Sequence, residues 1–154
     1  MKELELAADA MLGGLAKWLR LLGLDTIYLP MGARPPRPER VLLTRRSSRP
    51  HQDRITGWRR IVTLTANDTP GQLAETIRAL GLTWRDLQPF TLCSVCNSRL
   101  TAAGPAEVEG LVPAYVLATQ KKFSLCSGCG RVYWPGTHHW RMLAVIKDLL
   151  AGSE

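Results

Sequence analysis

The sequence predicts a parallel α/β domain followed by a small four-cysteine zinc ribbon. Short apolar strands alternate with amphipathic helices in the first half of the chain. Two C-x-x-C pairs occupy the second half. The 154 residues leave room for one domain plus a small module. We therefore place the α/β domain at residues 1–88 and the ribbon, together with a C-terminal helix, at residues 89–154.

The first strand and the first helix open the α/β domain. A strand is predicted at residues 4–8 and a helix from about residue 11 to residue 22. The helix has one apolar face of residues at helical spacing, namely Leu12, Leu15, Ala16, Leu19 and Leu22. Lys17 and Arg20 are expected on the opposite face, and Gly23 is expected to end the helix.

Three further strands and a second helix complete the predicted domain. Strands are expected at residues 26–29, 40–44 and 61–64, and the third is apolar enough to be buried on both faces of a parallel sheet. Four prolines exclude a regular helix between the second and third strands. The second helix has Thr69 as its predicted N-cap, Pro70 at its first position and Gly81 at its end. The last helix is predicted at residues 138–150.

The chain has only four cysteines, and they form the pairs Cys93-x-x-Cys96 and Cys126-x-x-Cys129. Each pair brings two thiolates to one side of a tight turn, and two pairs complete the tetrahedral sulfur site of structural zinc. A closed site of this kind leaves no open position for catalysis. Two disulfides are the alternative. The first residues are acidic where a signal peptide is basic and then apolar, so we expect a cytoplasmic protein with reduced thiols.

Positive charge is concentrated in residues 34–60. The chain has a net charge of +7, and this segment has nine arginines, no lysine, and only Glu39 and Asp53 as acids. Because the planar guanidinium suits bidentate phosphate contact, this segment predicts a nucleic-acid partner, with a merely solvated arginine-rich loop as the alternative. The candidate phosphate contacts are Lys17, Arg20, Arg45, Arg46 and Arg49. His138 and His139 are interpreted as phosphate contacts or a helix start rather than as spare metal ligands.

Three blocks of sequence together resemble one known family. They are DAMLGGLAKWLRLLGLD at residues 9–25, VLLTR at residues 41–45, and the double C-x-x-C region that ends in CGRVYW at residues 129–134. In order and spacing they resemble the Mut-seven C-terminal RNase domain family, a PIN-like nuclease fold followed by a zinc ribbon. The resemblance implies carboxylates at the C-terminal edge of the sheet, which hold magnesium or manganese and activate water against an RNA phosphodiester. It implies Asp9 as a catalytic residue, with Asp68 as a further candidate.

The sequence departs from the family pattern in its acidic residues. The resemblance leads us to expect an acidic helix between the second and third strands, where this chain has a proline- and arginine-rich segment with Glu39 as its only acid. It also leads us to expect an aspartate soon after the VLLTR block, where Arg46 stands. Helix capping is an alternative role for both Asp9 and Asp68. Because a hard divalent ion normally needs two or more carboxylates, we expect an incomplete nuclease centre.

These observations predict an RNA-binding domain with structural zinc and with cleavage activity that is weak or lost. One alternative is an active endoribonuclease that uses Asp9, Asp68 and a further acid such as Asp53 or Glu39. Another is an interaction module in which the zinc ribbon and the basic segment bind a protein partner.

Overall fold

The structure is a computed structural model that describes residues 3–29, 39–45, 58 and 60–152. The described residues form a four-stranded parallel sheet in the first half of the chain and a three-stranded antiparallel sheet in the second. The predicted class, a parallel α/β domain followed by a four-cysteine module, is confirmed. Residues 30–38 and 46–57, which contain most of the proline- and arginine-rich stretches, lie outside the described residues.

The parallel sheet has the strand order β2-β1-β3-β4. Its strands are β1 (Glu5–Ala8), β2 (Asp25–Tyr28), β3 (Val41–Thr44) and β4 (Arg60–Thr63). Ala8, the last residue of β1, pairs with Tyr28 of β2 and Leu43 of β3. The carboxyl ends of the four strands therefore meet at one side of the sheet, which we call the C-terminal edge.

Helix α1 (Gly13–Leu21) packs its leucine-rich face on this sheet. The five apolar residues predicted for that face are all 1% exposed or less, which confirms the predicted face. The placement of Arg20 on the exposed face is wrong, because its side chain is only 7% exposed. Gly23 ends the helix in the left-handed conformation at φ 84°, and a Cβ there would lie 2.2 Å from the carbonyl oxygen of Gln88. Glycine is therefore required at this position by both conformation and space.

Helix α2 (Thr69–Leu80) follows β4 and packs beside α1. Its N-cap is Asp68, not Thr69 as predicted, and the Asp68 carboxylate accepts a hydrogen bond from the Gly71 amide at 3.2 Å. Gly81 ends α2 in the left-handed conformation, as expected. A 3₁₀ turn at Trp84–Asp86 leads out of the α/β domain.

The second half of the chain forms a cysteine module, which we define as residues 91–134. Its antiparallel sheet consists of β5 (Leu100–Ala103), β6 (Phe123–Cys126) and β7 (Val132–Tyr133), and its short helices are α3 (Pro105–Val108) and α4 (Ala114–Thr119). Helix α5 (Thr137–Ala151) then returns to the α/β domain, where Ile146 is fully buried in the same core as the α1 leucines. No helix in the described ranges has both the length and the apolar character needed to cross a bilayer.

Candidate functional site

The four cysteines come together in the cysteine module as the sequence predicts. Their sulfur atoms all lie within 4.8 Å of one another, with Cys93 3.7 Å from Cys129 and Cys96 3.3 Å from Cys126. Sulfurs bound tetrahedrally to one zinc ion lie about 3.8 Å apart, given a zinc–sulfur bond of about 2.3 Å. All four are free thiols, so the two-disulfide interpretation is wrong. The donor set and its spacing fit zinc.

Two similar turns hold the cysteine pairs. Each pair is followed directly by a residue with positive φ, Asn97 at 68° and Gly130 at 78°. The amide of each donates to the carbonyl oxygen of the first cysteine of its pair at 3.0 Å. Gly130 thus forms a left-handed turn after the second pair, and the first pair achieves the same turn with asparagine, which tolerates this conformation better than most residues.

Amide groups of the second turn point at sulfur. The backbone N–H groups of Gly128 and Cys129 donate to the Cys126 sulfur, both at 3.4 Å. A Cβ at position 128 would lie 2.4 Å from Ser98 Oγ and 3.1 Å from the Cys96 sulfur. Glycine at position 128 thus lets the two turns approach each other closely enough to share one ion.

The thiols differ strongly in acidity when no metal is bound. Hydrogen bonds from the side chain and backbone of Ser98 lower the pKa of Cys96 to about 6. For Cys129 the backbone hydrogen bond of Arg131 acts to lower the pKa, but burial and the three other thiols together raise it to about 11. Burial and the nearby Cys93 sulfur raise the pKa of Tyr133 to about 12, so its hydroxyl stays protonated 3.1 Å from that sulfur. Four adjacent thiolates therefore need a bound cation to offset their mutual repulsion.

The cysteine module is joined to the α/β domain by hydrogen bonds of two charged side chains. Arg20 donates to the carbonyl oxygens of Thr26 at 2.8 Å, Ser94 at 3.1 Å and Val95 at 3.0 Å. Asp25 accepts from Arg40 at 2.9 Å and from Asn97 at 2.7 Å. The Arg20 guanidinium, predicted to contact phosphate, thus binds these carbonyl oxygens and connects the cysteine module to the α/β domain. Lys17 on the same helix is exposed.

Asp9 lies at the C-terminal edge, directly after β1, and its carboxylate binds its own chain. One oxygen accepts from the Ala10 amide at 2.7 Å, and the other accepts from the Thr44 hydroxyl at 2.9 Å. The Asp9 amide donates to the Leu43 carbonyl oxygen at 3.0 Å. These contacts fix the end of β1 against the end of β3.

Asp68 lies at the same edge as Asp9. Each aspartate precedes a helix, and the two helices meet near their starts, because a Cβ at Gly14 of α1 would lie 2.8 Å from the Thr69 hydroxyl of α2. Arg45 follows β3 at this edge and donates to the Asn67 side chain at 2.5 Å. Across the described residues, the cysteines are the only group of three or more His, Cys, Asp or Glu placed to share a metal ion.

The other acids and arginines named from the sequence fall elsewhere. Glu39 precedes β3 and therefore lies at the edge of the sheet opposite Asp9. Arg46, Arg49 and Asp53 lie outside the described residues.

Sequence reasoning missed Glu75 of α2. Its carboxylate accepts from the Thr65 amide and hydroxyl, both at 2.8 Å, and from the Ala66 amide at 2.9 Å. These bonds, led by the one from the Thr65 backbone, lower the pKa of Glu75. No motif marks this residue, since two of its three partners are backbone groups. Glu75 shapes the loop that leads from β4 to Asp68.

Comparison with protein families gives a match that covers nearly the whole chain. The family model described as the Mut7-C RNAse domain matches residues 4–146. No curated protein and no solved structure shows significant similarity to the chain.

Proposed function

Because the chain belongs to the Mut7-C RNAse domain family, we propose that it binds RNA through a PIN-like domain in which metal-dependent cleavage is weak or lost. Zinc in the cysteine module would supply structure and not chemistry, since four thiolates close its coordination shell. The free thiols suit zinc loading in a reducing compartment such as the cytoplasm.

The proposal rests on one observation, which is that the acids at the C-terminal edge already accept hydrogen bonds that hold the fold together. Asp9 binds the ends of two strands, and Asp68 caps a helix. A magnesium ion requires near-octahedral oxygen ligands and is usually held through one or two carboxylates plus substrate phosphates. Within the described ranges no third acid joins this pair. Any ion bound here would compete with hydrogen bonds that the fold already uses.

Arg45 adds an electrostatic argument at the same edge. Its guanidinium lies beside the loop that holds Asn67 and Asp68. A fixed positive charge disfavours a divalent cation nearby and attracts a phosphate oxygen. The edge is therefore better suited to holding an RNA backbone than to activating water against it.

A second candidate function, active endoribonuclease, is favoured by one specific observation. Asp9 and Asp68 precede two helices whose first turns touch, so both carboxylates belong to one edge. This candidate still needs a further acid. Of the two further acids named from the sequence, Glu39 is excluded by its place at the opposite edge, which leaves Asp53 to test.

Binding is tested with fluorescein-labelled single-stranded RNA at several salt concentrations. We expect log affinity to fall linearly with log salt, by about 0.7 for each phosphate contact. The triple change of Arg45, Arg46 and Arg49 to alanine should flatten that slope by about two. The matched control removes three exposed arginines from other parts of the chain, Arg78, Arg85 and Arg99. Equal slopes for the two triple variants would show that the segment is only a solvated surface.

Cleavage is tested with the same RNA and added magnesium or manganese. We expect little or no product from the wild-type chain. Metal-dependent product that disappears in both Asp9→Asn and Asp53→Asn would refute the proposal and establish the endoribonuclease. Product that persists in Asp9→Asn would indicate contamination or a mechanism that does not use this edge.

A further inference from the structure

A cavity of about 480 Å³ lies where the start of α5 meets the cysteine module. It is separate from the sheet edge and is bounded mainly by aromatic and aliphatic side chains, including Phe123, Tyr133 and Trp134. Its volume is within the range of about 300–1,000 Å³ that is typical of small-ligand sites. The cavity is thus large enough for one nucleotide and too small for a duplex.

A stacked pair of rings forms one side of this cavity. Phe90 and His139 lie with ring centroids 3.7 Å apart and an angle of 20° between their planes. Phe90 has φ 64°, a conformation that is costly for a bulky side chain, and its amide donates to the Leu21 carbonyl oxygen at 2.9 Å. Burial lowers the pKa of His139, so its ring is uncharged at neutral pH. The chain tolerates a strained backbone here to place a flat, neutral, aromatic surface.

The polar groups around the cavity are cationic or neutral. Lys122 and His138 line it and are exposed, and none of the described residues that line it is acidic. A flat aromatic surface beside an ammonium group is complementary to a base that carries a phosphate. An apolar peptide would use the aromatic rings but would gain nothing from the positive charge.

We propose that this cavity holds one unstacked nucleotide of single-stranded RNA, with its base against Trp134 or the Phe90–His139 pair and its phosphate near Lys122. The inference rests on the proposed RNA-binding function and adds a site remote from the C-terminal edge. Single-stranded RNA is required because bases within a duplex are already stacked on one another. Trp140, which is 62% exposed and lies edge-on to His139 at 5.2 Å, offers a surface for a neighbouring base.

The test uses the full chain, loaded with zinc, and a fluorescein-labelled oligouridylate of about eight nucleotides. Trp134→Leu should weaken binding roughly 5- to 150-fold, the usual effect of losing one base–aromatic stack. The matched control is Trp84→Leu, since Trp84 is 45% exposed and does not line the cavity. An abasic oligomer of the same length should bind wild-type protein and Trp134→Leu equally. Equal weakening on both oligomers would overturn the stacking proposal.

Zinc content monitors whether Trp134→Leu is correctly folded. A second pair of variants tests the cavity without changing Trp134. Lys122→Ala should reduce the salt slope by about 0.7, whereas Lys121→Ala, a neighbouring exposed lysine outside the cavity, should change it less. If wild-type protein binds RNA but neither Trp134→Leu nor Lys122→Ala alters binding, this inference fails while the proposed function stands.

Two further outcomes separate the possible sources of the nucleotide. Free uridine monophosphate that competes as strongly as the oligomer would overturn the RNA strand as the ligand and point to a free nucleotide. Absence of any salt-dependent RNA binding by wild-type protein would overturn the proposed function itself, and this inference with it.

Discussion

The two candidate metal centres of this chain differ in what their side chains do for the protein. The four cysteine sulfurs point at one another, are supported by amide N–H groups, and cannot all be ionised without a cation. The carboxylates of Asp9 and Asp68 instead accept hydrogen bonds that hold strand ends and a helix start. Four adjacent thiolates need a cation to offset their mutual repulsion, whereas acids that already accept hydrogen bonds within the fold do not. The comparison supports the proposal of structural zinc and predicts that the fold does not depend on magnesium.

Removal of one sulfur should give the largest effect. Cys126→Ser leaves three thiolates, and we expect zinc to fall from about one ion per chain to near zero, with unfolding of the cysteine module, because metal binding supplies much of the folding free energy of such modules. Elemental analysis and thermal unfolding measure both effects. Ser127→Ala, inside the same turn, should leave zinc content unchanged. A folded, metal-free wild-type protein would remove the basis of the comparison.

Removal of the Arg20 hydrogen bonds that connect the α/β domain to the cysteine module should have the next largest effect on stability. Arg20→Met removes three hydrogen bonds to carbonyl oxygens at a buried position, and we expect a loss of about 3 kcal/mol in the free energy of unfolding. Lys17→Met on the same helix is exposed and should change it by less than about 0.5 kcal/mol. Chemical denaturation measures both variants. Weaker RNA binding by Arg20→Met at unchanged stability would contradict this role and restore Arg20 as a phosphate contact.

The sequence predicts the cysteine site more completely than the acidic edge, for physical reasons. Cysteine spacing defines a site almost completely, because four thiolates have few other uses in a reducing environment. An aspartate before a helix fits either capping or catalysis, and only its partners distinguish the two. The sequence pattern predicts Arg20 on the exposed face of α1 because charged side chains are usually exposed. Arg20 follows the buried Ala16 by one turn, and its partners Ser94 and Val95 lie more than seventy residues away in the chain.

Replacement of Asp9 should distinguish a structural acid from a metal ligand by the sign of its effect. Asp9→Asn keeps the side-chain shape but weakens acceptance from Ala10 and Thr44, so we expect a loss of about 1 kcal/mol in the free energy of unfolding. Removal of a ligand from an unfilled acidic cluster would instead stabilise the protein, since such sites are held at a cost to stability. Glu39→Gln, exposed at the opposite edge, is the control.

Magnesium provides a second measurement at this edge. An ion that bound only the folded wild-type protein would raise its melting temperature, and the rise would grow with the magnesium concentration. We expect a change of less than about 1 °C at millimolar magnesium, and the same for Asp9→Asn. A clear rise that occurs in wild-type protein alone would show that Asp9 is a ligand after all.

Replacement of Glu75 should give the smallest change in the free energy of unfolding, and the size of that change should depend on pH. Its folded-state pKa lies below the ordinary value of 4.5, so its contribution to stability is present above that pH and is lost as the pH falls through the lower folded value. Glu75→Gln does not titrate and should be less stable than wild type at neutral pH by under about 1 kcal/mol, because solvent reaches the carboxylate. The difference should shrink below pH 4.5. Urea denaturation at several pH values measures it, with Glu109→Gln as an exposed control. A difference independent of pH would mean that shape, and not charge, holds the loop before Asp68.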